Sequence, residues 1–101
     1  MGTRLELHQI LVSILGSNNV YYQPPASVKM KYPCIVYEKQ SIRSDFGDDI
    51  RYNYKWQYVV TYISKNPDDI IPEKLLLMPY TAFSRQYISD NLYHNSFYVY
   101  F

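Results

Sequence analysis

Two histidines, one cysteine and nine acidic residues are the groups of this 101-residue chain that could act on a substrate or hold a metal. His8 and His94 stand far apart, with no Cys, Asp or Glu at ligand spacing, so both read as polar surface or turn residues. Asp45, Asp48 and Asp49 crowd one short stretch, 41–49. They lack the one-three-five spacing and the distal Glu of a calcium loop, and a solvated loop is the reading. Asp68 and Asp69 sit where a helix N-terminus favours negative charge. Cys34 has no partner for an internal disulfide and lies in Pro-Cys-Ile-Val-Tyr, which reads as a buried, inert thiol made in a reducing, cytosolic setting. With 3 glycines in the chain there is little material for a phosphate-cradling loop. No nucleophile elbow or paired-cysteine motif occurs either. The expectation is a protein that is not an enzyme, with no cofactor and no metal.

Binding is the remaining route to function, and the charge narrows it. Ten basic and nine acidic residues give a net charge of +1. A protein whose main task is holding phosphates would carry a basic surplus. The chain is long enough for one core and not for two, so residues 1–101 form a single domain. Its unusual feature is 13 tyrosines against 4 Phe and 1 Trp. Tyrosine joins a large apolar body to a polar tip, which suits sheet faces and subunit contacts alike. Met1-Gly2-Thr3-Arg4 has neither a secretory order nor, with Glu6 in the sixth position, a myristoylation signal. No apolar run approaches a membrane span, and no membrane partner is expected.

The element that organises the chain is residues 50–63. Ile50, Tyr52, Tyr54, Trp56, Tyr58, Val60 and Tyr62 alternate with Arg51, Asn53, Lys55 and Gln57. That period of two describes a strand with one apolar and one polar face. From Val59 to Ile63 the second face turns apolar too, so that end is expected to be covered on both sides. Fourteen residues extended cover about 46 Å, whereas a domain of this size is roughly 33 Å across. Either the Arg51 end projects, where a neighbouring subunit is the economical partner, or a bulge splits the run.

The other elements follow from local signals. Thr3 and Glu6 form a capping-box pattern, and Leu7, Ile10, Leu11, Ile14 and Leu15 recur at helical spacing up to Gly16. A helix over 4–15 is expected, with Val12 widening the stripe. Residues 20–22 suggest a short strand, ended by Pro24 and Pro25, and 28–32 a loop. Residues 34–39 read as a central strand, 41–49 as the loop joining it to the long strand. Asn66 as cap and Pro67 at the first position open a second helix over 70–78, with Ile71, Leu75 and Met78 on one face and Pro72 in its first turns. Residues 81–87 read as a strand, 89–91 as a turn and 96–101 as a closing strand. The sum is an α+β fold: a mostly antiparallel sheet with a long central hairpin and two helices packed on one side.

Several stretches carry a resemblance. Tyr32-Pro33-Cys34-Ile35-Val36-Tyr37-Glu38 precedes the Asp-bearing loop, and residues 54–63 lead into Ser64-Lys65-Asn66-Pro67-Asp68. Met78-Pro79-Tyr80, Phe83, Arg85-Gln86-Tyr87 and Asp90-Asn91-Leu92-Tyr93-His94 run to the aromatic end. Over residues 5–101 the chain resembles the tail-terminator or tail-completion family of siphophages, also called minor tail or minor capsid proteins. The resemblance implies a structural virion protein, made in the host cytoplasm and built into the head-proximal end of the phage tail. There such proteins form rings, hexameric as a rule, that end tube polymerisation and offer a head-tail joining surface to the connector. The partners implied are other copies of the chain, the tail-tube protein and the head-completion protein, with DNA passing through unread. The family has no catalytic residue to transfer. Relatives that dock through a C-terminal extension would differ from this chain, which stops at Phe101. Subunit, tube or lumen contacts are assigned to Arg43, Asp45, Asp48, Asp49, Arg51, Tyr52 and Tyr54. The alternative is a small monomeric binding module for a protein or single-stranded nucleic acid. Arg51, Lys55 and the aromatics of the long strand suggest a stacking platform. Alternation, however, puts those aromatics on the face opposite Arg51 and Lys55.

Overall fold

The structure is a computed structural model that describes residues 3–24, 29–44, 54–66 and 68–101, the side chains at 41–44 and 54–55 excepted. The elements in order are α1 (Arg4–Leu15), β1 (Val20–Tyr22), β2 (Cys34–Ser44), β3 (Tyr54–Ser64), α2 (Ile71–Leu76), β4 (Thr81–Ser89) and β5 (Leu92–Tyr100). They form one five-stranded mixed sheet in the order β1-β2-β3-β5-β4, with both helices packed against it. Three of the four pairings are antiparallel, as the alternating segments suggested. The fourth, β1 with β2, is parallel.

Helix α1 starts and stops where its sequence says. The Thr3 hydroxyl accepts from the Glu6 amide at 3.2 Å and donates to the Glu6 carboxylate at the same distance. Gly16 closes the helix at φ 79°, its amide bonded to the Val12 carbonyl at 2.8 Å. That left-handed backbone suits glycine, which has no Cβ to clash. Leu7 and Leu11 are fully buried, with Val12, Ile14 and Leu15 partly buried beside them. Ile10, expected in the buried stripe, is instead exposed, along with Leu5. The helix seats on Leu7 and Leu11, so Ile10 rolls outward.

The alternation in β3 is realised. Tyr58, Val60 and Tyr62 point into the helix-covered core with Ile35, Tyr37, Phe97 and Val99. Trp56 packs on the border of that core. Ile63, on the opposite face, meets Cys34 and Leu92 beneath Tyr21 and Met30. Both faces are therefore covered at this end. Strand β3 is unbroken from Tyr54 to Ser64. The irregularity lies in its partner: Lys39 pairs with Tyr58 and Ser41 with Gln57, leaving Gln40 as an extra residue in β2. Residues 41–44, expected in a loop, are thus strand. The bulge restores the pairing that polar composition alone had hidden.

Past this bulge the hairpin outruns the sheet. Strand β5 pairs with β3 only as far as Gln57, and Phe101 exchanges the last two bonds with Trp56 at 3.0 and 3.2 Å. The rungs Arg43–Lys55 and Ser44–Tyr54 lie beyond. The long dimension of the molecule is 47 Å, against 27 and 22 Å across.

Helix α2 is shorter than expected. Ile71 and Leu75 are buried and Met78 partly buried, as its pattern suggested. Asn66 does not cap it. Its side-chain oxygen accepts from the Asp68 amide at 3.0 Å, a local turn. Asp69 does the work at the helix start, where one oxygen accepts from the Ile71 amide at 3.4 Å and the other from the Tyr62 hydroxyl at 2.5 Å. Pro72 occupies the first turn, where no intrahelical donor is lost. Strands β4 and β5 form a hairpin through Asp90 and Asn91, both at positive φ (53° and 62°). Asp and Asn tolerate that geometry, the one a two-residue turn between twisted strands prefers. The closing strand begins at Leu92 rather than 96, because Leu92 pairs with Ser89 directly across this turn.

Candidate functional site

The residues with chemical capacity fall into three groups. The first lies under α1. The Tyr37 hydroxyl sits 2.7 Å from His8 Nδ1 and accepts from Arg4 Nη1 at 3.4 Å. All three are satisfied when Tyr37 donates to an unprotonated Nδ1. The Arg4 guanidinium lies 4.4 Å from the centre of the Tyr22 ring. Tyr22 and Tyr58 tilt against Tyr37, with centroids 5.0 and 6.1 Å away. Burial pushes the Tyr37 hydroxyl above its ordinary range, with Arg4 opposing. Tyr58 is pushed up by burial first and by Tyr22 and Tyr37 second. Its hydroxyl is buried without a hydrogen-bond partner among the described residues. This group ties α1 to the sheet, and His8 belongs to it rather than to the surface. The alternation of Tyr37 into the helix face was the signal that could have paired it with His8.

The second group lies on the sheet face away from the helices. Arg85 stands 4.6 Å above the Tyr87 ring, and Tyr87 stacks on His94 with centroids 4.8 Å apart and planes 18° from parallel. His94 Nδ1–H donates to the Leu92 carbonyl at 3.1 Å, which leaves Nε2 as the acceptor. The register places Val36, Val59, Thr61, Ser96 and Tyr98 on this same face. Cys34 lies at its covered end, fully buried, its thiol raised by burial to about 11. A thiol held so far in its neutral form is a poor nucleophile at ordinary pH.

The third group is the set assigned from the sequence to subunit, tube or lumen contacts. Arg43 lies in β2 at the register position of Lys55, and Tyr54 in β3 opposite Ser44. Both are on the projecting part of the hairpin. Asp45, Asp48, Asp49, Arg51 and Tyr52 lie outside the described residues. Among the described residues no three His, Cys, Asp or Glu side chains are grouped to hold a metal, and no helix is long and apolar enough to cross a membrane. Comparison with protein-family models, with curated proteins and with solved structures found no match for this chain.

One surface escaped the sequence reading. At the corner where α2 runs into β4, Leu76, Leu77, Tyr80 and Phe83 are exposed, Leu77 at 84% and Tyr80 at 68%. Tyr80 has a positive φ of 56°, a costly backbone for a bulky side chain. Leu76 and Leu77 looked like ordinary helix residues. They fall away from the face that Ile71, Leu75 and Met78 share, and both are exposed.

Proposed function

We propose that this chain is a structural subunit of the tail-terminator kind. It assembles with copies of itself into a ring, expected to be hexameric, at the head-proximal end of a phage tail. It ends tube polymerisation there and presents a joining surface to the connector, with DNA passing through unread. The observation that carries the reading is the β2–β3 ladder continuing beyond the end of β5. A two-stranded ribbon is marginal by itself in water and gains stability by leaning on a partner. The residues assigned to contacts, Arg43 and Tyr54 among them, belong to that ribbon or to its neighbourhood in the chain. The sequence resemblance over residues 5–101 and the number of tyrosines on sheet surfaces support the same reading.

Light scattering across a concentration series, alone and with the tube protein of the same virus, tests it. A closed oligomer of about six subunits, or a monomer that forms a ring on the tube, is the expected result. A monomer indifferent to the tube would refute it. The Arg85, Tyr87 and His94 stack favours a second reading, a module binding single-stranded nucleic acid by base stacking. That reading requires affinity for an oligonucleotide that falls steeply with salt.

A further inference from the structure

We propose that the polar cluster where the first turn of α1 meets β2 and β3 is a binding site for a small organic oxyanion, a carboxylate or a phosphate, held by Arg4, Lys39 and the Tyr58 hydroxyl. The inference is independent of the ring reading and goes beyond it.

The signal is a hydroxyl with nothing to bond. Tyr58 is fully buried, and its oxygen has no hydrogen-bond partner among the described residues. Buried polar groups are paired as a rule, and an exception calls for a reason. Phenylalanine would fill the same space without the cost of an unmade bond. Groups that lower the stability of the protein alone collect at sites that bind or act.

Two cations stand beside this hydroxyl. Lys39 pairs directly with Tyr58 across β2 and β3, which sets their Cβ atoms about 5 Å apart. Its ammonium lies 4.2 Å from the centre of the Trp56 ring, on the face the helices cover. Arg4 comes down from α1 and lies 4.4 Å from the centre of the Tyr22 ring. Its charge is felt at the Tyr58 hydroxyl, as are Tyr22 and Tyr37.

Neither cation has a carboxylate. Among the described residues Arg4 and Lys39 each rest on an aromatic ring and make no ion pair. Glu6, the acid nearest Arg4 in sequence, accepts from the Thr3 hydroxyl. Glu38 alternates to the sheet face opposite Lys39. Arg4 also has N–H donors to spare. The one hydrogen bond it makes among the described residues is to the Tyr37 hydroxyl at a long 3.4 Å.

A cation resting on a ring is held weakly and exchanges that contact for a stronger, charge-assisted pair with an oxyanion. Arg4 is half-buried at the start of its helix, which is seated by Leu7 and Leu11, so its guanidinium turns off Tyr22 without unseating α1. The anion then meets donors from three elements: the guanidinium from α1, the ammonium from β2 and the hydroxyl from β3. Tyr22 and Trp56 supply apolar walls for the body that carries the charge. The ligand is held and not transformed.

Trp56 is the one tryptophan of the chain, so its fluorescence reports on Lys39 directly. The full chain is titrated with inorganic phosphate and with hexanoate, against sodium chloride at matched ionic strength. At least one of the two should give a saturable change that chloride does not, and the one that binds names the head group. Arg4→Gln and Lys39→Gln should each weaken binding at least about tenfold, the loss expected with a charge-assisted hydrogen bond. Tyr58→Phe should weaken it as much with the fold intact by circular dichroism. Lys74→Ala, on the exposed side of α2, should bind as the parent chain does. Should Arg4→Gln loosen α1, Lys39→Gln and Tyr58→Phe carry the test. No saturable response to either anion, or undiminished binding by folded Tyr58→Phe, overturns the site.

Discussion

Replacing Tyr58 by Phe should stabilise the protein. Tyr58 is fully buried in the middle of β3, and its hydroxyl has no hydrogen-bond partner among the described residues. Moving a hydroxyl out of water without replacing its hydrogen bonds costs about 1–3 kcal/mol. Phenylalanine keeps the ring, and with it the contact to Tyr37 at 6.1 Å, and discards the uncompensated oxygen. A void the size of one oxygen returns part of the gain, so a net stabilisation of about 1 kcal/mol is expected. In a domain of this size that raises the thermal midpoint by about 4–8 °C. Guanidinium unfolding followed by circular dichroism reads the same quantity as a shift in midpoint at constant slope. A loss of stability in Tyr58→Phe would refute the reasoning, because it would mean the hydroxyl is satisfied within the folded protein.

Tyr37→Phe should do the opposite. It strips the partner from His8 Nδ1 and Arg4 Nη1 and should cost about 1–2 kcal/mol in the same unfolding assay. Gly16→Ala should cost about 1 kcal/mol from the φ of 79° alone, since nothing lies within 4 Å of the added Cβ; Gly16→Asn, tolerant of that backbone, should cost less. Alkaline pH should unfold the protein. Tyr37, Tyr58 and Tyr62 are all raised from 10.0, each chiefly by burial and Tyr62 also by the Asp69 carboxylate, and Cys34 from 9.0 to about 11. The unfolded chain then releases protons first, so the stability these groups confer is whole below about pH 9 and is lost as pH climbs toward their folded values. Each group contributes a slope of up to about 1.4 kcal/mol per pH unit. The last tyrosines to ionise should therefore do so together with loss of helix signal, and ionisation of all 13 tyrosines with the fold intact would contradict this.

What the sequence determined by itself was local. The Thr3 and Glu6 cap, the Gly16 stop, the β3 alternation and the buried pair Ile71 and Leu75 each rest on interactions within a few residues, where geometry has a fixed period. The fold class followed from their order. The candidate contact residues were chosen from the start of the long strand and from a loop whose strand-forming part, 41–44, was hidden by its polar composition, because a bulge at Gln40 re-registers the ladder only in the presence of β3. The tertiary structure alone decided the parallel pairing of β1, the meeting of His8 with Tyr37 across 29 positions, and the use of Asp69 by Tyr62. It also decided the outward corner at Leu77 and Tyr80. These depend on which strands become neighbours and where a helix stops. Such choices are set by the packing of the whole chain, and no short window of sequence carries them.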